Sequence, residues 1–193
     1  MPGLVQPVSD ESEALLAYLA QQRYVVRLAA FGLGDDQARS TPSPSALSVG
    51  GIIKHLAAVE RFWMQVVRGE LEDAGSDSGH DYEDNFRLLP SEELASVMDD
   101  YAAAGRETEA TVLSIADLSR VVYVPHSVPW FPPDVDYWTL RWVLLHLITE
   151  TARHAGHGDI VRETLDGATA FPLMAAAERW PASPWIRAWE PAS

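Results

Sequence analysis

The chain has 193 residues, 47% hydrophobic and 22% charged, with a formal net charge of −14 and no cysteine. That length supports one good core rather than two. The absent thiols exclude disulfides, cysteine nucleophiles and thiolate metal ligands, and the acid excess argues against a phosphate-neutralising nucleic-acid surface.

The first helix is predicted from a Ser9 cap through the acidic turn that follows, with Leu15, Leu16, Leu19, Tyr24, Val25 and Leu28 as its stripe up to Ala30. Gly32-Leu-Gly-Asp-Asp and Thr41-Pro-Ser-Pro-Ser then read as a loop. Ser48 is the expected cap of a second helix to about Arg68, on which Ile52, Ile53, Leu56, Val59, Phe62, Trp63 and Val66 recur at helical spacing. His55 lies at the edge of that apolar face. The stretch Glu70 to Asp84, with His80, reads as an exposed, mobile acidic loop. A third helix is expected from Ser91 to about Leu113, with Gly105 as an internal flaw costing roughly 1 kcal/mol relative to alanine. Leu118 to Asp136 is irregular and proline-rich, with Val121–Val124 a short extended piece and His126 incidental.

The fourth helix runs from Thr139 to about Leu165, stopped by Asp166-Gly167. The tail from about Met174 carries Trp180, Trp185 and Trp189 and is expected to cover an open bundle edge or a second subunit. One domain over residues 1–193 is the reading: an all-α four-helix bundle, antiparallel by default, with two long irregular connections. No apolar run approaches the roughly 20 residues of a membrane span, and the N-terminus lacks a signal-peptide pattern. A cytoplasmic protein is expected. Lys54 is the only lysine, which with the abundant alanine hints at a GC-rich genome.

The fourth helix also carries the chemistry. His146, Glu150, His154 and His157 follow one another at spacings of four, four and three, which sets them on one face. Glu150 and His154 are about 6 Å apart along the axis, a common spacing for two metal ligands from one helix. His55, on another core-facing helix, is the best third ligand, leaving an open position for water or substrate. An i, i+4 pair alone is weak evidence. A buried glutamate without a partner would be costly, however, and a metal ion or a charged histidine supplies one. Nitrogen and oxygen donors suit zinc, iron, nickel or manganese.

His146 reads first as a core histidine lining the pocket. His157, after Gly156, reads as a proton shuttle or a further ligand. Arg141 and Arg153 could hold an anion but read first as surface ion pairs. Trp63, Trp130, Trp138 and Trp142 could wall a ligand site, although Trp63 and Trp142 read first as plain core. There is no phosphate loop and no serine in a nucleophile elbow.

Leu47-Ser-Val-Gly-Gly-Ile-Ile-Lys-His55, together with the stretch from Thr139 to Glu163, resembles the DinB-like metalloenzyme superfamily. The likeness is strongest to its actinobacterial branch, which includes mycothiol-dependent maleylpyruvate isomerase. The resemblance implies a four-helix bundle with one long crossover and one divalent metal ion, most often zinc or nickel. It also implies metal ligands at His55, Glu150 and His154, with Glu150 in the place the isomerase gives to glutamate. The isomerase's separate C-terminal domain has no counterpart here, which weakens the case for isomerisation itself.

The expected function is therefore metal-dependent transfer of a low-molecular-weight thiol, mycothiol or a similar one, to a small-molecule electrophile. His157 and His146 are the expected proton-handling residues. The alternatives are a metal hydrolase and a non-catalytic metal-binding stress protein. The family likeness and the Trp-rich tail point to a homodimer, without nucleic-acid or membrane partners.

Overall fold

Asp10, not Ser9, caps the first helix: its carboxylate accepts from the Glu13 backbone N–H at 2.8 Å, and α1 runs Glu11–Ala29. The predicted loop that follows contains one short helix, α2 (Asp35–Arg39). Ser48 does cap α3 (Val49–Arg68), accepting from the Gly51 N–H at 3.1 Å. Ser91 does not begin the next helix. α4 runs Leu94–Ile115, and its first free N–H, on Leu94, donates instead to Asp35 of α2 at 2.8 Å. α5 spans Leu140–Asp166 from a Thr139 cap to left-handed Gly167, and the tail begins with a short α6 (Ala170–Ala177). The expected extended piece is strand β1 (Val121–Tyr123), which pairs antiparallel with a strand the sequence did not announce, β2 (Tyr137–Thr139). The computed structural model describes residues 3–71 and 82–191. Most of the acidic stretch predicted to be mobile, with His80, lies outside them.

The default antiparallel expectation fails for two helix pairs, and the ion pairs show it. Lys54 meets Glu92, Arg61 meets Asp100 and Arg68 meets Glu107, so α3 and α4 run in the same direction. Arg141 meets Glu11 and Arg162 donates to the Ala29 carbonyl, so α1 and α5 are also parallel. The two pairs oppose each other, because His55 faces His154 while Trp63 faces His146. A parallel successor cannot follow a tight turn. The chain after Arg68 must travel back along the bundle before α4, and residues 69–71 and 82–93 are the described parts of that crossover.

The bundle core is two apolar clusters separated by a polar layer, and a smaller third cluster packs Leu28 with Ala168, Leu173 and Met174. Of the two bundle clusters, one packs Val26, Ile52, Leu56, Val97 and Ala155; the other packs Leu19, Trp63, Met64, Val112 and Leu144. At the level between them lie Arg23, Glu60, Thr108 and Thr151, all buried. Arg23 donates to both Glu60 oxygens at 2.8 and 2.7 Å, and Thr108 donates to Glu60 at 2.8 Å. Gly105 has its reason here: a Cβ would press on the Arg23 guanidinium at 3.2 Å.

The returning crossover lies across the start of α3, where Gly50 and Gly51 clear its path. A Cβ on Gly51 would coincide with the Phe86 carbonyl. Gly51→Ala is therefore expected to cost about 1–3 kcal/mol by forcing the crossover outward. That corresponds to a thermal midpoint about 2–12 °C lower, and an unchanged midpoint would count against this packing role.

Candidate metal centre

α3 and α5 form the seam on which the candidate donors meet. Ile52, Leu56, Leu147 and Ala155 are buried, and this fixes the rotation of both helices. His55 and Glu150 consequently face each other across the seam, with His154 one turn beyond Glu150. Single donor atoms of His55, Glu150 and His154 all lie within 4.8 Å of one another. Glu150 Oε1 is 3.2 Å from His154 Nε2 and 3.5 Å from His55 Nε2. The second contact is too long for a good hydrogen bond, and His55 Nε2 is buried without a hydrogen-bond partner. A buried nitrogen without a partner, a carboxylate partly open to solvent and a second imidazole form a donor set that a divalent ion would satisfy. The close approach of His154, and then of His55, holds the Glu150 carboxyl well below the usual carboxylate range, against the opposing effect of burial.

Phe86, from the crossover, stacks on the His55 ring at 3.9 Å between centroids and 22° between planes. This contact covers one face of the imidazole, and the Phe86 ring also lies 6.2 Å from that of His154. The sequence carried no signal for it, because Phe86 reaches His55 only through the parallel crossover.

The remaining candidates separate. His157 is half-buried beside His154, with ring centroids 5.5 Å apart, but it is not in the donor set. Its Nδ1 is buried without a hydrogen-bond partner. His146 also stays out of the donor set. It packs on Trp63 at 4.7 Å and stacks on Trp142 at 5.3 Å, and burial pushes its pKa down against the charge of Glu150. Arg141 makes the exposed ion pair with Glu11, whereas Arg153 is exposed on α5. His126 is exposed near the hairpin and takes no part. Trp63 and Trp138 are core, while Trp130 and Trp142 are exposed.

The mycothiol-S-transferase family model matches residues 14–167, which is four helices of the bundle with all the donors. The chain belongs to the mycothiol-S-transferase family. It is accordingly a transferase with mycothiol as the thiol its family uses. Among solved structures, the chain is similar to "the conserved protein of locus from Enterococcus faecalis", with a TM-score of 0.63 and 18% identity over 83% of this chain and 100% of that one. At that identity the likeness concerns the helical DinB-like fold alone. No curated protein matches the sequence. In this mycothiol-S-transferase family member no helix among the described residues is long and apolar enough to cross a membrane.

Proposed function

We propose that this transferase uses one divalent ion, zinc or nickel, held by His55, Glu150 and His154. The observation that carries the reading is the buried, unpartnered His55 Nε2 facing an ionised Glu150 on the helix seam, in a chain of a thiol-transferring family. When bound there, the ion lowers the pKa of the mycothiol sulfur and so supplies a thiolate. Glu150 remains anionic and holds the two imidazoles in register. His157, one turn from His154 with its Nδ1 unpartnered, accepts the proton that the thiol releases. His146, kept neutral by burial, closes the opposite side of the pocket and limits water there. The absence of cysteine is consistent with a nucleophile that arrives with the co-substrate.

The reading extends to an electrophilic small molecule as second substrate. It also takes residues 1–193 as one functional unit and the exposed Trp185 and Ile160 as surfaces of a homodimer. The further likeness to the branch of mycothiol-dependent maleylpyruvate isomerase supports the thiol, not the isomerisation.

The test is thiol transfer by the purified protein before and after chelation. Product should form only with mycothiol present, disappear on metal removal, and return when zinc or nickel is restored. Turnover of the electrophile at the same rate without thiol would replace this reading by a hydrolase.

A further inference from the structure

One structural feature lies beside the donor set and takes no part in holding it. Trp138, Trp142 and His146 form a column of parallel rings along the start of α5. Trp138 stacks on Trp142 at 4.7 Å and 6°, and Trp142 stacks on His146 at 5.3 Å and 1°. Trp63 backs all three, with centroids 5.3, 5.6 and 4.7 Å away. Its first ring, Trp138, is buried, and its middle ring, Trp142, is 40% exposed and opens the column to the surface. It ends one helical turn, about 6 Å, before Glu150. Two buried tryptophans thus brace a partly exposed one on a path leading to the donor set.

We propose that Trp142 and His146, backed by Trp63, are the wall that selects the electrophile, and that it takes neutral, planar, unsaturated electrophiles. This rests on the transferase reading above. The neutrality follows from where the cations are. Arg61 is tied to Asp100, Arg68 to Glu70 and Arg141 to Glu11, and Arg120, near the start of α5, lies beside the Asp117 carboxylate. Arg153 is exposed on α5 but lies about 16 Å along the axis from Trp142, beyond Glu150. Among the described residues, the cation seated over an aromatic ring is Arg162, on Trp189. A carboxylated electrophile at the wall would therefore meet Glu150 and a chain of net charge −14 without a compensating partner. An electron-poor planar ring gains apolar burial and a favourable contact with the electron-rich indoles.

The reaction expected of such a substrate is substitution at an activated ring carbon. The thiolate sulfur forms the carbon–sulfur bond and a halide leaves with the electron pair of the carbon–halogen bond. The thiol proton passes by way of His157 to solvent, and nothing is oxidised or reduced.

Calorimetric titration of the full-length, metal-loaded protein, without thiol, with 1,3-dinitrobenzene tests the wall alone, because this probe has no leaving group. Trp142→Ala and Trp142→Leu should weaken binding about five- to tenfold. Trp142→Phe should recover most of the affinity, and Leu145→Ala, at another exposed position of α5, should leave it unchanged. Carrying a carboxylate, 3,5-dinitrobenzoate should bind more weakly than the neutral probe. In parallel, transfer of mycothiol to 1-chloro-2,4-dinitrobenzene should show a raised KM for the electrophile in Trp142→Ala and an unchanged KM for the thiol. No binding to the wild type, equal affinity in all the Trp142 variants, or tighter binding of the benzoate would overturn the wall. If binding follows the expected pattern but no thiol transfer occurs, the transferase reading fails and the wall stands.

Discussion

Arg23→Met should destabilise the protein by about 3–5 kcal/mol, since it leaves a buried carboxylate without its counter-charge. Glu60 is wholly buried and accepts three hydrogen bonds, two of them from Arg23. Arg23 also reaches Glu109 at 3.0 Å, but that half-exposed carboxylate, itself an acid, offers Glu60 no replacement counter-charge. For a domain of this size the loss corresponds to a thermal midpoint lower by about 6–20 °C. Thr108→Val removes one neutral donor and should cost only about 0.5–1.5 kcal/mol. Replacing both charges, Arg23→Met with Glu60→Leu, should recover much of the loss, because a buried pair is often no better than apolar packing. Thermal melts of the three variants check the order. An Arg23→Met midpoint within a degree or two of the wild type would mean that Glu60 is satisfied in some other way.

This polar layer was hidden in the sequence for a specific reason. Arg23 and Glu60 look like ordinary surface charges when each helix is read alone. The available signal was positional: Glu60 sits between Leu56 and Trp63 on the apolar stripe of α3, and Arg23 between Leu19 and Val26 on α1. A charge at an interior position of a helical stripe calls for an opposite charge on a neighbouring helix. Arg162 repeats the lesson, being wholly buried and donating to the Ala29 and Phe31 carbonyls at the end of α1.

The four long helices were legible because periodicity and caps are local properties. The directions of the helices were not, because they depend on whether residues 69–93 turn or cross. A long acidic connection allows either. The juxtaposition of His55 with Glu150 and His154 follows from two core-facing stripes that had to pack together, so the sequence could raise it. The Phe86 stack and the clearance at Gly51 depend on the crossover, and so stayed invisible.

The carboxylate at position 150 carries the other large effect. Two neutral imidazoles and one carboxylate leave a single positive charge on a bound divalent ion. Glu150→Gln removes the anionic donor and raises that charge, which makes a bound thiol more acidic but holds the ion less tightly. Weaker retention should dominate, because among the described residues three protein donors meet there. His154→Ala should lose most of the metal, and Glu150→Gln should retain it about tenfold less tightly or worse. In the metal-free protein the sign of the acid response follows from the same geometry. A carboxyl held low by His154 and His55 stabilises the fold above the ordinary carboxylate range, and that contribution fades as pH falls from there toward the lowered folded value. Glu150→Gln should lack this part of the acid transition. Dialysis of wild type and variant against a graded series of chelator concentrations, followed by metal analysis, measures the first effect directly. Equal retention by the two proteins would remove Glu150 from the site and leave His157, the unpartnered imidazole beside His154, as the third donor to test.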